Sequence, residues 1–165
     1  MVVKEIRDED FTSYKKPSMV IGFPSCTFKC EKECGCKGMC QNLTLATAPN
    51  IEIGFDNIVD RYVKNPITKA IIMAGLEPFD SPFALPELIN EFRKYTDDDI
   101  VIYTGYKEDE LTYGLPSLRE SYDKVKQFKN IIIKFGRFIP NQQSHYDAVL
   151  GIKLASPNQY AVRIS

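Results

Sequence analysis

The sequence has almost nothing from which to build a histidine-based site. Its single histidine, His145 in "NQQSHYD", has no partner at metal-ligand spacing and reads as a surface side chain. Long apolar runs are also missing. The longest extend about five or six residues, against the roughly twenty that a membrane-spanning helix needs. Charge of one sign is missing too. The formal net charge is −1, so neither nucleic acid nor a charged membrane surface is expected as a partner. The opening "MVVKEIRDEDF" is charged and has no apolar stretch of the signal-peptide kind. No linker or low-complexity tract divides the chain, so one domain over residues 1–165 is expected. These absences point to the cytoplasm, where thiols stay reduced.

Cysteine is present, and all of it is in one place. Cys26, Cys30, Cys34, Cys36 and Cys40 fall within "SCTFKCEKECGCKGMCQN", residues 25–42. An odd number of thiols in a reducing compartment argues against a disulfide knot and for a metal. The spacers are three, three, one and three residues, and no second ligand pair exists elsewhere. Structural zinc sites usually combine two close pairs, so a zinc site here would take every ligand from one loop. Iron–sulfur clusters do use compact cysteine runs of this sort. The residues alone leave the number of ligands open.

Four short apolar runs read as buried strands: "MVIGF" (19–23), "AIIMA" (70–74), "IVIYT" (100–104) and "IIIKF" (131–135). The last three recur at about thirty residues, the size of one βα unit. Helical patterns lie between them. Phe55, Ile58, Val59, Tyr62 and Val63 share one helix face, and so do Leu85, Leu88, Ile89 and Phe92. Ser81 or Asp80 is placed to cap the second helix, with Pro82 in its first turn. A third helix is expected over Leu118–Phe128, opened by Pro116-Ser117, and an edge strand near Tyr160–Ile164. Alternating apolar strands and amphipathic helices predict an α/β fold with a mostly parallel sheet and right-handed crossovers. Four or five strands cannot close an eight-stranded barrel, so an open partial (β/α) barrel is expected. Ligands gather at the carboxyl ends of such strands, where the cysteine loop, "GLEPFD" and "GYKEDEL" all fall. "DEDFTSYKK" (8–16) and "TDDD" (96–99) read as solvated faces and caps.

"SCTFKC" after an apolar strand resembles the opening of the cluster loop of the radical S-adenosylmethionine (SAM) superfamily. There three cysteines, usually with spacers of three and two, hold three irons of a [4Fe-4S] cluster. The fourth iron is left for the amino and carboxylate groups of SAM. That spacing would put the third ligand at Glu33, which is no thiolate. "MCQN" (39–42) is similar to the "C-Y-N" ending in the activating proteins of anaerobic ribonucleotide reductase. The resemblance therefore implies an insertion in "EKECGCKGM" and the ligand set Cys26, Cys30 and Cys40. Cys34 and Cys36 are then spare thiols, the competing arrangement being a four-thiolate cluster that includes Cys36 and blocks SAM.

The resemblance extends along most of the chain. "AGLEP" (74–78) is similar to the superfamily's "GGEP", which implies that Gly75, Glu77 and Pro78 receive the methionine ammonium group of SAM. Leu76 stands where the family has glycine, which requires a negative φ there. "IYTGYKEDEL" implies Thr104 and Tyr106 near the nucleoside, although the two tyrosines Tyr103 and Tyr106 could simply pack on opposite sides of the sheet. "FGRF" (135–138) and "LASPNQYAV" (154–162) resemble "DGRF" and a terminal "GSxNQR", implying adenosine or backbone contacts for Asn158 and Gln159. The implied activity is reductive cleavage of SAM to a 5′-deoxyadenosyl radical that installs a glycyl radical on anaerobic ribonucleotide reductase or another glycyl radical protein. An external donor such as flavodoxin would supply the electron. Two alternatives stand beside it: a radical SAM enzyme acting on a small molecule or nucleobase, and an iron–sulfur or zinc binding module without SAM chemistry.

Overall fold

A computed structural model describes all 165 residues. In chain order the strands are β1 (Val2–Val3), β2 (Glu5–Asp10), β3 (Ser18–Phe23), β4 (Ile51–Glu52), β5 (Ala70–Gly75), β6 (Asp99–Tyr103), β7 (Ile131–Phe135), β8 (His145–Asp147), β9 (Ile152–Leu154) and β10 (Tyr160–Arg163). The helices are α1 (Lys29–Cys34), α2 (Leu43–Thr47), α3 (Phe55–Lys64), α4 (Ala84–Arg93), α5 (Glu108–Tyr113) and α6 (Pro116–Val125). Six strands form one open mixed sheet in the order β10-β7-β6-β5-β3-β2. The central four are parallel, and the edge strands β2 and β10 run antiparallel to their neighbours. No helix is long and apolar enough to cross a membrane.

Each central strand lies one place further along the sheet than the strand before it in the chain. Right-handed crossovers then put the long connecting helices α3, α4 and α6 on the same face. Ile58, Leu88 and Phe92 from α3 and α4, with Tyr122 from α6, pack there against Ile21, Ile71, Ile102 and Ile133. The alternate strand residues Val20, Ile72, Val101 and Ile132 point the other way. Tyr14, Leu150 and Leu154, carried by the segment before β3 and by the β8–β9 hairpin, cover them. Burial on both faces is why these strands read as unbroken apolar runs. Toward the carboxyl ends of the strands the second face has no such cover.

Several expectations need correction. The third helix runs Pro116–Val125, opening at Pro116 as expected but ending three residues before Phe128. Neither Asp80 nor Ser81 caps α4; its N-cap is Phe83, with no side-chain bond. Residues 78–80 form a 3-10 turn instead. The acidic stretches are not uniformly solvated. Asp10 is buried, ends β2 and accepts the N–H groups of Thr12 and Ser13. Asp99 is buried at the start of β6, where Tyr14, Lys16 and Arg163 all donate to it. Burial alone would raise the Asp99 carboxyl, but Lys16, Arg163 and Tyr14 outweigh it and hold it at about 2. This cluster ties the edge strand β10 and the segment before β3 to β6, at the end of the sheet away from the cysteine loop.

Candidate functional site

A cavity of about 300 Å³ opens on the uncovered face at the carboxyl ends of the parallel strands. That volume lies at the lower end for small-molecule and cofactor sites, roughly 300–1,000 Å³. The cysteine loop forms one wall. Cys26, Cys30 and Cys40 line the cavity, whereas Cys34 and Cys36 do not. The loop leaves β3 through Phe28, whose left-handed backbone (φ 52°) is uncommon for a bulky residue. The Phe28 N–H donates to the Cys26 sulfur at 3.2 Å. The Cys40 N–H is held by Glu31 Oε1 at 3.0 Å, so α1 fixes the far end of the loop.

Burial pushes the Cys26 thiol up to about 12; the Phe28 N–H opposes this, and Glu77, Asp80 and Cys30 nearby add to it. Burial also raises Cys30, followed by the neighbouring Cys40 thiol. The three thiols are thus neighbours on one wall. No three Cys, His, Asp or Glu side chains converge as ligands of one ion would. A tetrahedral zinc, with Zn–S distances of about 2.3 Å, needs that convergence. Iron–sulfur clusters are held by cysteine thiolates, and Cys26, Cys30 and Cys40 present thiols to one cavity.

The β5 end supplies the floor. Gly75 has φ 94°, and a Cβ on it would stand 2.6 Å from the Gly22 Cα and Phe23 N–H nitrogen of β3. Only glycine tolerates both. The left-handed position thus falls on Gly75 and not on Leu76. The Asn42 side chain donates to the Gly75 carbonyl at 2.5 Å, joining the end of the cysteine loop to β5. Glu77 is 5% exposed. Its carboxylate accepts from Thr104 Oγ1 at 2.7 Å and from the N–H groups of Gly105 at 2.8 Å and Phe79 at 3.2 Å. All three donors are neutral. Burial raises Glu77 to about 7 in spite of them. Pro78 is buried in the 3-10 turn and does not line the cavity.

Thr104 and Tyr106 both line the cavity, and each is already engaged. The Tyr106 hydroxyl donates to Asp80 at 2.6 Å, and the other Asp80 oxygen accepts the Thr27 N–H at 2.7 Å. Asp80 therefore fastens the cysteine loop to the loop after β6. Tyr103 packs beside the open-face cluster and Tyr106 within the helix-face cluster, as packing on opposite sides of the sheet requires. At the β10 end, Gln159 lines the cavity and is buried; its side chain accepts from the Ala155 and Ser156 N–H groups and donates to the Gly136 carbonyl. Asn158 is exposed, outside the lining, and donates to the Arg137 carbonyl. The structure thus brings Cys26, Cys30, Cys40, Gly75, Glu77, Thr104, Tyr106 and Gln159 together and leaves Pro78 and Asn158 aside.

Three further residues shape the site. Lys134 is buried in the cavity wall and donates to the Gly136 carbonyl at 2.8 Å. Burial lowers its ammonium to about 8, although Glu77 nearby works the other way. A lone lysine inside the apolar run "IIIKF" was its signal in the sequence. Arg137 and Glu110 form a two-pronged pair with both bonds at 2.7 Å. The Arg137 hydrogen bonds, with burial opposing, hold the Glu110 carboxyl at about 2. Arg137 also reaches Glu33 of α1 at 3.4 Å, and Lys29 lies over the Tyr106 ring at 4.7 Å. These contacts brace α1 against the rim. Nothing in the sequence pairs Glu110 with Arg137. Comparison with protein-family models, curated proteins and solved structures finds no match to this chain.

Proposed function

We propose that this protein is a small cytoplasmic radical SAM enzyme of the activating kind, acting on an anaerobic ribonucleotide reductase or another glycyl radical protein. One observation carries the reading: three of the five thiols, Cys26, Cys30 and Cys40, line the cavity whose floor is Glu77, and the other two do not. Those three would hold a [4Fe-4S] cluster. When bound, the cluster and SAM supply one-electron reductive cleavage of SAM to methionine and a 5′-deoxyadenosyl radical, with the electron coming from an external donor such as flavodoxin.

The chain's own residues have definable tasks. Glu77 is a buried carboxylate with three neutral donors and no cation in contact. A ligand ammonium reaching it would complete the charge pair and favour its ionised form, with the Glu77 proton leaving to solvent. Thr104 Oγ1 and the Gly105 N–H fix the orientation of that carboxylate. Met39, Leu76 and Phe138 give the walls apolar surface that keeps water from the ligand. The Arg137–Glu110 pair holds the loops that frame the mouth. The cavity is only partly enclosed, which suits a protein segment as the closing substrate.

The test uses protein reconstituted with iron and sulfide under anaerobic conditions, then given SAM and a strong reductant. The expected products are methionine and 5′-deoxyadenosine. With the reductase encoded beside it, electron paramagnetic resonance should show a glycyl doublet that collapses toward a singlet when the glycine is deuterated at Cα. Cleavage with no radical on that reductase would favour a small-molecule or nucleobase substrate. A full, reduced cluster with no cleavage would leave an electron carrier, and stoichiometric zinc without iron would overturn the reading.

A further inference from the structure

The two thiols outside the cavity are close neighbours at the end of α1. Cys34 ends α1 and is exposed, and Cys36 is half-exposed. Gly35 between them has φ 66° and ψ 17°, a left-handed turn. The Cys36 thiol donates to the Cys34 carbonyl at 3.1 Å, and the Cys34 sulfur lies 3.9 Å from the Cys36 carbonyl oxygen. Two residues span at most about 7 Å when extended. The left-handed turn at Gly35 makes the span shorter than that, toward the roughly 4.4–6.8 Å between Cα atoms that disulfides bridge. Exposed dithiols in reducing compartments are exchange or sensing sites far more often than structural ones.

We propose that Cys34-Gly35-Cys36 is a thiol–disulfide exchange site whose substrate is an accessible disulfide of the glutathione type. The inference is independent of the cluster reading. The exposed Cys34 thiolate attacks one sulfur of the incoming disulfide and expels the other as a thiolate. Cys36, deprotonated in turn, attacks the Cys34 sulfur of the mixed disulfide and releases the second thiolate. Two protein thiols are oxidised to one disulfide, one external disulfide is reduced to two thiols, and the two protons go to the departing thiolates. The site is wired to the cavity wall. Gly35 and Cys36 both donate their N–H groups to the Glu31 carbonyl, and the Glu31 side chain holds the Cys40 N–H.

The experiment treats the full chain with glutathione disulfide under anaerobic conditions, blocks remaining thiols with an alkylating agent and maps peptides by mass spectrometry. The expected result is a Cys34–Cys36 bond with loss of two hydrogens, no retained glutathione, and reversal by a dithiol reductant. Cys36→Ser should trap glutathione on Cys34, with an adduct lifetime at least about tenfold longer than in the unmodified chain. Cys34→Ser should react more slowly, at Cys36. Glutathione that stays on Cys34 in the unmodified chain, or a first disulfide formed among Cys26, Cys30 and Cys40, overturns the proposal. Both readouts are independent of iron and SAM.

Discussion

Two buried carboxylates stand at opposite ends of the same sheet, and their surroundings differ in kind. Asp99, 6% exposed, receives Lys16 and Arg163 and is held at about 2. Glu77, 5% exposed, receives three neutral donors and is raised to about 7. The first has its counter-charges built in and serves as a clamp between strands. The second has hydrogen bonds but no cation in contact, Lys134 and Arg137 standing only nearby, in a cavity lined by three thiols. An uncompensated buried charge is costly, and such groups cluster at working sites. The end of the sheet with the incomplete charge balance is the end where chemistry is to be sought.

The comparison can be broken at either end. Asp99→Asn should destabilise the fold by about 3 kcal/mol in urea unfolding, the low end of the roughly 3–5 kcal/mol for breaking a buried ionic cluster. The low end applies because Lys16 and Arg163 are nearly half exposed and can rehydrate. An effect near zero would make Asp99 as uncompensated as Glu77. Glu77→Gln should leave stability within about 1 kcal/mol below pH 4.5, where the Glu77 carboxyl is itself neutral, and should keep the iron. Its SAM affinity should fall by about tenfold or more, since a charge-assisted hydrogen bond is worth about 1.5–3 kcal/mol. Unchanged affinity at normal iron content would make Glu77 purely structural.

The two carboxylates should also titrate in opposite senses. Asp99 is lowered from 3.8 to about 2, so its stabilisation is full above pH 3.8 and is lost as pH falls toward 2. Glu77 is raised from 4.5 to about 7, so its contribution is full below pH 4.5 and is lost as pH rises through 7. Glu77→Gln should flatten the stability curve between those two values, which a pH series of unfolding midpoints will read. Lys134 gives the smallest effect. Its ammonium is lowered from 10.5 to about 8, so stability should rise between pH 8 and 10.5, where the unfolded chain alone still holds the proton. Lys134→Met should remove that rise and leave the fold at least as stable at pH 7, because a buried ammonium is taken away.

Much of the frame was legible because strands buried on both faces leave continuous apolar runs, and because helix faces repeat at fixed spacing. Strand β2, "EIRDED", was not legible. It is an edge strand with three exposed residues in a row, so it shows no alternation. The sense of the edge strands follows from the connections and not from local pattern. Gly75 and Glu77 were singled out through the resemblance of "AGLEP" to "GGEP", and the structure places both at the cavity. Asp80 was misread as a helix cap because its true partners, Thr27 and Tyr106, are far away in the chain. The pairing of Glu110 with Arg137 and the burial of Asp99 were hidden for the same reason. Long-range charge pairing has no local signature.

The most direct test of the central claim, that the cavity thiols and only those hold the cluster, is the iron and sulfide content of five single cysteine variants after identical anaerobic reconstitution. The unmodified protein should take up close to four irons, and Cys26→Ala, Cys30→Ala and Cys40→Ala should each lose them. Cys34→Ala and Cys36→Ala should keep it. A protein in which Cys36→Ala empties the site while Cys40→Ala leaves it filled would contradict the account.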